Sequence, residues 1–275
     1  MYSIFYYKKI ELNLNGFFKY IIFLLVKMNT TNSLVNEIII ISIEGNIGSG
    51  KSTLLENLRS HYENNPNVIF LKEPVDEWAT IKDEKGITML EKFYQDQTKY
   101  SFAFQMMAYI SRLNILKKTV ETCCSSSSSL NKTNKTNKTN ETNKEKKIII
   151  TERSLFTDKM VFAQMLYDSG NMESVEFQVY LKWFDTFIQE FPVSKIIYVK
   201  TNPEICHYRI TKRSRQGENI IPLEYLDNCD TYHEKMLCSN TICKSQLVLD
   251  GNKDIYDNEC ELKNWILKIE NFLFE

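Results

Sequence analysis

The feature that most constrains the fold is a glycine-rich stretch at residues 45–54, GNIGSGKSTL. It follows a β-branched apolar run at residues 37–44 and leads into a run with helical spacing at residues 51–62. It fits G-x-x-x-x-G-K-[ST], in which backbone N–H groups surround a phosphate, the lysine reaches the terminal phosphates and the hydroxyl binds Mg²⁺. The same letters occur in ordinary glycine turns, but a strand before the loop and a helix after it are the context that phosphate binding requires.

This phosphate loop therefore predicts a site for the β- and γ-phosphates of a nucleoside triphosphate. Ser52 is the predicted ligand of the Mg²⁺ ion that accompanies them. The residues predicted to hold the nucleotide are Gly45, Asn46, Gly48, Ser49, Gly50, Lys51, Ser52 and Thr53.

The apolar runs that follow repeat the alternation of strand and helix. Short buried strands are predicted at residues 68–71, 147–151, 196–199 and 246–249, one long core helix at 93–121, two helical stretches up to about residue 190, and a closing helix at 259–274. Strands that alternate with helices predict an α/β fold, a doubly wound five-stranded parallel sheet flanked by helices.

Two segments are expected to lack regular structure: an insertion within the predicted domain, which covers residues 38–275, and the extension before it. Residues 123–146 repeat Asn, Lys and Thr with almost nothing apolar, and are expected to be a disordered surface insertion. Residues 17–26 are apolar but too short for a membrane span, which needs roughly 20 residues. Residues 1–37 are therefore expected to be a poorly ordered extension, or alternatively a weak mitochondrial presequence.

Charge and cysteine content narrow the function. The formal net charge is −1, so nothing suggests a nucleic-acid polymer as the main partner, and no membrane association is expected. The seven cysteines include no CxxC pair, which fits reduced thiols in the cytoplasm and signals neither a zinc site nor a disulfide framework.

Switch GTPases, ATP-driven motors and small-molecule kinases all use such a phosphate loop. The nearest match to a guanine-reading NKxD motif starts at Asn252 and lacks the acid, and the strand at 147–151 is followed by Glu152 where a motor usually has Asp.

A kinase needs a base for the acceptor hydroxyl and a basic lid over the phosphates. Glu73 follows the second strand and is the predicted base. The predicted arginine-rich lid is residues 207–225, HYRITKRSRQGENIIPLEY, with Arg209, Arg213 and Arg215 at near-helical spacing.

Five ordered strings resemble the deoxyribonucleoside kinase family that includes deoxycytidine and deoxyguanosine kinases: GNIGSGKST, EPVDEW, FAFQMMAYISR, TERSLFTD and RSRQGENIIPLEYL. The likeness runs from about residue 38 to the C-terminus, apart from the insertion. It implies a P-loop kinase that uses ATP and Mg²⁺ to phosphorylate a deoxynucleoside on its 5'-OH in nucleotide salvage, and a homodimer built through helices. Two alternatives are a nucleoside monophosphate kinase such as thymidylate kinase, and a nucleotide-binding scaffold without turnover.

The resemblance also implies roles for individual residues. Glu73 would take the proton of the 5'-OH, Glu152 would bind Mg²⁺, and Arg153 would steady the reacting oxygen and phosphoryl group. Tyr94 and Glu218 would hold the sugar 3'-OH, although the neutral residues 216 and 217 before Glu218 depart from the family pattern. The residues implied for the nucleobase are Trp78 in the pocket wall, Phe104 and Phe162 stacked on the base, Gln105 and Arg112 at its edge, and Asp158 as the partner of Arg112.

Arg112 and Asp158 predict which base is accepted. Family members that take thymidine resemble a pattern with apolar residues at these two positions. An arginine held by an aspartate offers N–H donors, which suit the acceptor nitrogens of cytosine or a purine and oppose the N3–H donor of thymine. Deoxycytidine or a purine deoxynucleoside is therefore expected to be preferred over thymidine, and the choice between cytosine and purine stays open.

Overall fold

The computed structural model describes residues 38–129, 146–215, 218, 220–239, 241–255 and 259–274. The predicted extension at 1–37 and residues 130–145 of the predicted insertion lie outside these ranges. The chain divides into two compact units, of which the larger comprises residues 39–118 and 147–275. Among the described residues, no helix is both long enough and apolar enough to cross a membrane.

A five-stranded sheet in the order β2-β3-β1-β4-β5 forms the centre of this unit. Its strands are β1 (Ile38–Glu44), β2 (Val68–Leu71), β3 (Lys147–Glu152), β4 (Lys195–Lys200) and β5 (Gln246–Asp250). β1 pairs with β4, β2 with β3, and β4 with β5, each in parallel. The predicted parallel α/β sheet is confirmed, and its middle strand is the one that leads into the phosphate loop.

Ten α-helices of the described chain surround the sheet. They are α1 (Lys51–His61), α2 (Val75–Trp78), α3 (Met89–Gln95), α4 (Gln97–Ser129), α5 (Leu155–Thr157), α6 (Gln164–Asp168), α7 (Ser174–Phe187), α8 (Pro203–Arg213), α9 (Leu223–Cys238) and α10 (Glu259–Phe274). A π-helical segment, Asp158–Ala163, joins α5 to α6, and a 3₁₀ turn, Ile188–Glu190, follows α7.

One hydrophobic cluster fixes the phosphate loop against the sheet. Alternate strand residues turn the same face towards it, because side chains of a strand alternate between its two sides. The cluster includes Ile41 and Ile43 of β1, Ile148 and Ile150 of β3, Ile197 and Val199 of β4, Leu54, Leu55 and Leu58 of α1, and Trp265, Ile269 and Leu273 of α10. The helix that begins at the phosphate loop is thus packed on the strand that ends there.

The prediction of one continuous helix over 93–121 is wrong at its start. Asp96 has φ −150° and ψ 84°, which ends α3, and its carboxylate accepts a hydrogen bond from the backbone N–H of Lys99 at 3.1 Å, which begins α4. The apolar spacing continues across this break, so periodicity did not reveal it. As a result, Tyr94 lies on a different helix from Gln105 and Arg112.

Two other boundaries differ from expectation. Ser214 adopts the left-handed conformation (φ 52°) and ends α8, so Arg215 does not share a helical face with Arg209 and Arg213. Helix α4 continues to Ser129, into the segment predicted to be a disordered insertion.

The π-helical segment contains two of the predicted nucleobase residues, Asp158 and Phe162. Ser154 begins this helical region with a capping interaction, since its hydroxyl accepts a hydrogen bond from the N–H of Thr157 at 3.3 Å. π-helical turns occur mostly as single widened turns inside α-helices, and often near functional sites.

Candidate active site

The predicted site residues line one continuous cavity of about 350 Å³ at the carboxyl ends of the strands. All of them border it except Gly45 and Asn46. Open α/β sheets bind ligands at this edge, where loops from different strands converge. The sequence strings that are far apart along the chain therefore meet at a single place.

The phosphate loop is shaped by its first glycine. Gly45 has φ +146°, and a Cβ at this position would lie 2.5 Å from the carbonyl oxygen of Val199. No side chain fits there, because both the backbone conformation and the space require glycine. Lys51 is buried inside the loop and donates a hydrogen bond to the carbonyl oxygen of Asn46 at 2.6 Å. Burial, with help from the charge of Arg153, lowers the pKa of Lys51 to about 7.

Asn46 and Arg209 bind other parts of the protein. The amide of Asn46 donates to the carbonyl oxygen of Leu226 at 2.8 Å, which ties the loop to α9. Arg209 donates to the carbonyl oxygens of Ser49 at 3.4 Å and of Gly251 at 2.8 Å. In this state Arg209 links the phosphate loop to the loop after β5.

Ser52 and Glu152, the predicted Mg²⁺ ligands, are in contact. The hydroxyl of Ser52 donates to Oε1 of Glu152 at 2.5 Å. The other oxygen, Oε2, is buried and has no hydrogen-bond partner among the described residues. Mg²⁺ commonly takes one or two protein oxygens and completes its shell with water and phosphate oxygens. A hydroxyl beside an unsatisfied carboxylate oxygen fits this requirement.

The predicted base, Glu73, lies between two arginines. Its Oε1 accepts a hydrogen bond from Nη2 of Arg112 at 2.9 Å and lies 3.4 Å from Nε of Arg153. Burial disfavours the charged carboxylate, but the positive charges of Arg153, Arg112 and Lys51 outweigh it and lower the pKa of Glu73 to about 2. The carboxylate is therefore ionised at every physiological pH.

Arg112 is fixed by three partners at once. Its Nε and Nη2 donate to the two carboxylate oxygens of Asp158, at 2.9 and 3.3 Å. Its Nη1 donates to the carbonyl oxygen of Glu152 at 2.8 Å, and Nη2 also reaches Glu73. Burial raises the pKa of Asp158, although Arg112 acts in the opposite direction. Arg112, which is predicted to bind the nucleobase, thus also holds Glu73, the predicted general base.

Arg153 follows β3 in a conformation that is unusual for a residue with a side chain, with φ 65°. Such strained positions persist only where the surroundings fix them, and they cluster at functional sites. The N–H of Arg153 donates to the carbonyl oxygen of Ile43 at 2.9 Å, and its Nη1 donates to that of Gly45 at 2.8 Å. Its guanidinium carbon lies 4.9 Å from the ring centroid of Phe162.

An aromatic wall forms the other side of the cavity. The ring of Trp78 meets that of Phe104 edge to face with centroids 5.6 Å apart, and Phe104 stacks on Phe93 at 4.5 Å. The indole N–H of Trp78 donates to the hydroxyl of Ser111 at 2.7 Å, which attaches α2 to α4. Beside this wall, Oε1 of Gln105 is buried with no hydrogen-bond partner among the described residues.

The lid arginines lie against Glu218. Arg215 Nη1 is 2.9 Å from Oε1 of Glu218, and Arg213 is hydrogen-bonded to its other oxygen. Burial raises the pKa of Tyr94 well above its usual value, and the charge of Glu218 adds to the effect. The predicted sugar-binding pair and two of the predicted phosphate-binding arginines are therefore one cluster in this structure.

Sequence reasoning missed several residues around the cavity. Phe93 stacks on Phe104, and Gly251 and Lys253 border the cavity from the loop after β5. The strand at 246–249 followed by a glycine was a signal for that loop, since ligands bind beyond strand ends. His233, on α9, is fully buried and contacts Arg153, and a single histidine in a helix gave no sequence signal.

A parallel sheet with a phosphate loop after its central strand, the partly buried carboxylate of Glu73 opposite that loop and a cavity between them define a P-loop kinase that phosphorylates a small molecule. The chain belongs to the deoxynucleoside kinase family, whose sequence model matches residues 41–274. It is therefore an ATP-dependent deoxynucleoside kinase, which confirms the predicted class.

Known proteins similar to this chain include kinases for different bases. It is 32% identical to human deoxycytidine kinase over 85% of this chain and 90% of that protein. It is 30% identical to deoxycytidine kinase 2 of Gallus gallus over 85% of this chain and 89% of that protein. It is also 30% identical to the mitochondrial thymidine kinase 2 of Macaca fascicularis, over 74% of this chain and 66% of that protein.

Proposed function

We propose that the enzyme phosphorylates deoxycytidine or a purine deoxynucleoside in nucleotide salvage, and that thymidine is a poor acceptor. The observation that carries this proposal is the fixed position of Arg112 between Asp158 and Glu73. A guanidinium has five N–H donors. Among the described residues, Asp158, Glu73 and the Glu152 carbonyl use four of them, which leaves a single Nη1 N–H for the base.

Because Arg112 has one remaining N–H donor, the contact expected between Arg112 and the nucleobase is a single hydrogen bond and not a pair. A fork of two N–H groups to N7 and O6 of a purine would require Arg112 to release a protein partner, whereas one N–H suits a single acceptor nitrogen. Gln105 offers both an acceptor and a donor, and its unsatisfied Oε1 suits an amino group such as that of cytosine or adenine. Thymine would place its N3–H against the Arg112 donor, which leaves both unpaired and costs roughly 1–3 kcal/mol.

In the proposed mechanism, Glu73 accepts the proton of the 5'-OH as the oxygen attacks the γ-phosphorus of ATP and ADP leaves. Its low pKa makes Glu73 a weak base. A weak base is sufficient here, because phosphoryl transfer passes through a loose transition state, in which the attacking oxygen has formed little of its new bond and needs to lose its proton only late. Lys51 and Arg153, with the lid arginines Arg213 and Arg215 once released from Glu218, stabilise the phosphoryl charge.

Ser52 and Glu152 are the residues proposed to hold Mg²⁺. The ion, when bound, neutralises charge on the β- and γ-phosphate oxygens. The unsatisfied Oε2 of Glu152 supports this assignment. Tyr94 and Glu218 are proposed to bind the sugar 3'-OH once Glu218 is free of the two arginines.

The direct test of this function is an acceptor panel. Purified enzyme is incubated with ATP, Mg²⁺ and each of the four deoxynucleosides, and kcat/KM for the 5'-monophosphate is measured. We expect thymidine to give the lowest kcat/KM, by roughly tenfold or more, since about 1.4 kcal/mol corresponds to that factor. Thymidine turnover equal to that of deoxycytidine, deoxyadenosine and deoxyguanosine would overturn the proposed role of Arg112.

Binding of ATP is expected to take up a proton above neutral pH. Lys51 is buried with a pKa of about 7, so it is largely neutral in the free enzyme at pH 8 and charged at pH 6. Phosphate oxygens favour the charged form. Calorimetry of ATP binding in two buffers of different ionisation enthalpy should therefore detect greater proton uptake at pH 8 than at pH 6. Equal proton uptake at both pH values would show that Lys51 is already charged in the free enzyme.

An exposed apolar stripe on α7 supports a homodimer. Val175, Val179 and Trp183 are spaced one turn apart and are 68%, 41% and 47% exposed. Ile110 of α4 is 46% exposed, and the hydroxyl of its neighbour Tyr109 donates to the carbonyl oxygen of Trp183 at 3.2 Å. A contiguous apolar surface on two adjoining helices is typical of an interface. We propose that it pairs with the same surface of a second copy.

The variant Trp183→Glu is expected to be a monomer, because a charge in this stripe would be buried at the interface without a partner. The control is Leu267→Glu on α10, which changes an exposed apolar residue outside the stripe (58% exposed). Sedimentation velocity should give a dimer for the unmodified enzyme and the control, and a monomer for Trp183→Glu. The stripe is not the interface if Trp183→Glu sediments as a dimer, or if the unmodified enzyme is monomeric.

A further inference from the structure

His233 is a buried polar residue to which the mechanism above gives no role. It lies on α9 with no exposed surface. Its Nδ1 is 2.7 Å from the carbonyl oxygen of Cys229, and its Nε2 is 3.3 Å from Nη1 of Arg153. The ring also meets that of Phe162 edge to face, with centroids 6.3 Å apart. The histidine therefore touches both the guanidinium of Arg153 and the aromatic ring that this guanidinium covers.

The partners of the imidazole determine its tautomer. A carbonyl oxygen only accepts, so Nδ1 carries a proton and donates it to Cys229. Burial and the nearby charge of Arg153 lower the pKa of His233 well below its usual value, so the ring is neutral. In a neutral ring with a proton on Nδ1, Nε2 has a free lone pair and accepts the N–H of Arg153.

The two N–H groups of Nη1 of Arg153 thus have two acceptors, the carbonyl oxygen of Gly45 at 2.8 Å and the imidazole of His233. Nε faces Glu73 at 3.4 Å, and the plane of the guanidinium is covered by Phe162. Of these contacts, only that with His233 comes from α9. We propose that His233 is a positioning residue for the reaction, which fixes the orientation of Arg153 at the transferred phosphoryl group; this rests on the role proposed for Arg153.

The chemistry of a neutral imidazole suits this task. A carboxylate at this place would hold Arg153 equally well but would cancel its positive charge, which is needed both for Glu73 and for the developing phosphoryl charge. A neutral acceptor orients the guanidinium and leaves the charge in place. The residue that supplies the acceptor must then be one that stays uncharged next to a cation, as buried His233 does.

Two near-isosteric variants separate positioning from packing. Asn can keep the donor to the Cys229 carbonyl but lacks an atom at the Nε2 position, whereas the carbonyl oxygen of Gln reaches that position and can accept from Arg153. We expect His233→Asn to lower kcat roughly 10- to 100-fold, the effect that loss of an orienting partner has at metal sites. KM for the nucleoside should change little, and His233→Gln should restore kcat to within about threefold of the unmodified enzyme.

A double-mutant cycle with Arg153→Lys tests whether His233 acts through Arg153. In the Arg153→Lys background, His233→Asn should cause no further loss of kcat, because the group that it orients is already gone. Equal kcat losses in His233→Asn and His233→Gln, full kcat in both, or losses that multiply in the double variant would each overturn the inference. If Arg153→Lys alone has normal kcat, the role proposed for Arg153 is wrong. If Arg153→Lys has a lower kcat and His233→Asn a normal one, only the positioning role of His233 is wrong.

Discussion

Glu73→Gln is expected to lower kcat by roughly 10²- to 10⁴-fold, the range that general acid–base catalysis contributes. The amide is nearly isosteric and can still accept a hydrogen bond from Arg112, but it cannot take up the proton of the 5'-OH. Steady-state kinetics with the best acceptor measure the loss, and nucleoside binding should persist. A near-normal kcat would remove Glu73 from the mechanism.

The control for this variant is Glu77→Gln, which changes an exposed glutamate on the adjoining helix α2 and should leave kcat unchanged. Stability against acid offers a second readout. Because the pKa of folded Glu73 lies at about 2, below its ordinary value of 4.5, the carboxylate stabilises the folded state above about pH 4.5, and this contribution is lost as the pH falls towards 2. Glu73→Gln should therefore lose less stability than the unmodified enzyme between pH 5 and pH 3, because the amide does not titrate.

The double variant Arg112→Met with Asp158→Ala is expected to raise the kcat/KM ratio of thymidine to deoxycytidine by roughly 10- to 100-fold, since it removes a donor that opposes N3–H of thymine. The structure also predicts a loss of kcat in this double variant, which the sequence motifs did not indicate. Arg112 also donates to Glu73 at 2.9 Å, so absolute kcat should fall for every acceptor even as the ratio rises.

The single variants serve as controls for that prediction. Arg112→Met alone leaves the carboxylate of Asp158 buried without its partner, and Asp158→Ala alone leaves Arg112 held by fewer groups. Each should have a lower melting temperature than the double variant, because an unpaired buried charge is strongly destabilising. An unchanged thymidine ratio in the double variant would show that this ion pair does not select the base.

Much of the fold was readable from local patterns. The apolar runs before Gly45, Pro74 and Glu152 are short and continuous, which is typical of strands in a parallel sheet, and they predicted the strands but not their order in the sheet. The phosphate loop, the strand ends and the predicted base also follow from local order, because ligands bind where parallel strands end. The same rule predicts that these residues line one cavity.

The remaining features depend on contacts between distant residues. Asp96 breaks a helix without interrupting the apolar spacing, and the bond between Arg112 and Glu73 joins residues 39 positions apart, for which sequence spacing gives no indication. The pairing of Arg213 and Arg215 with Glu218 was not predicted, since the two arginines were expected to bind the phosphates and Glu218 the sugar 3'-OH. The role proposed for His233 depends on the contacts of its two ring nitrogens with Arg153 and Cys229, and nothing in the sequence indicated the contact with Arg153.

The π-helical segment Asp158–Ala163 bears on how this protein can change during evolution. A widened turn accommodates one residue more than an α-helical turn, so a single-residue deletion there would restore regular α-helix. The helix beyond the segment would keep its orientation, because the extra residue is absorbed within the widened turn, and buried Met165 and Leu166 would still face the core. Inside the segment the side-chain directions would change by up to about 100°, one residue of a 3.6-residue turn, and Phe162 would lose its alignment with Asp158. The extra residue therefore matters for the site and not for the core, and lineages of this enzyme should exchange side chains in this segment while its length stays constant.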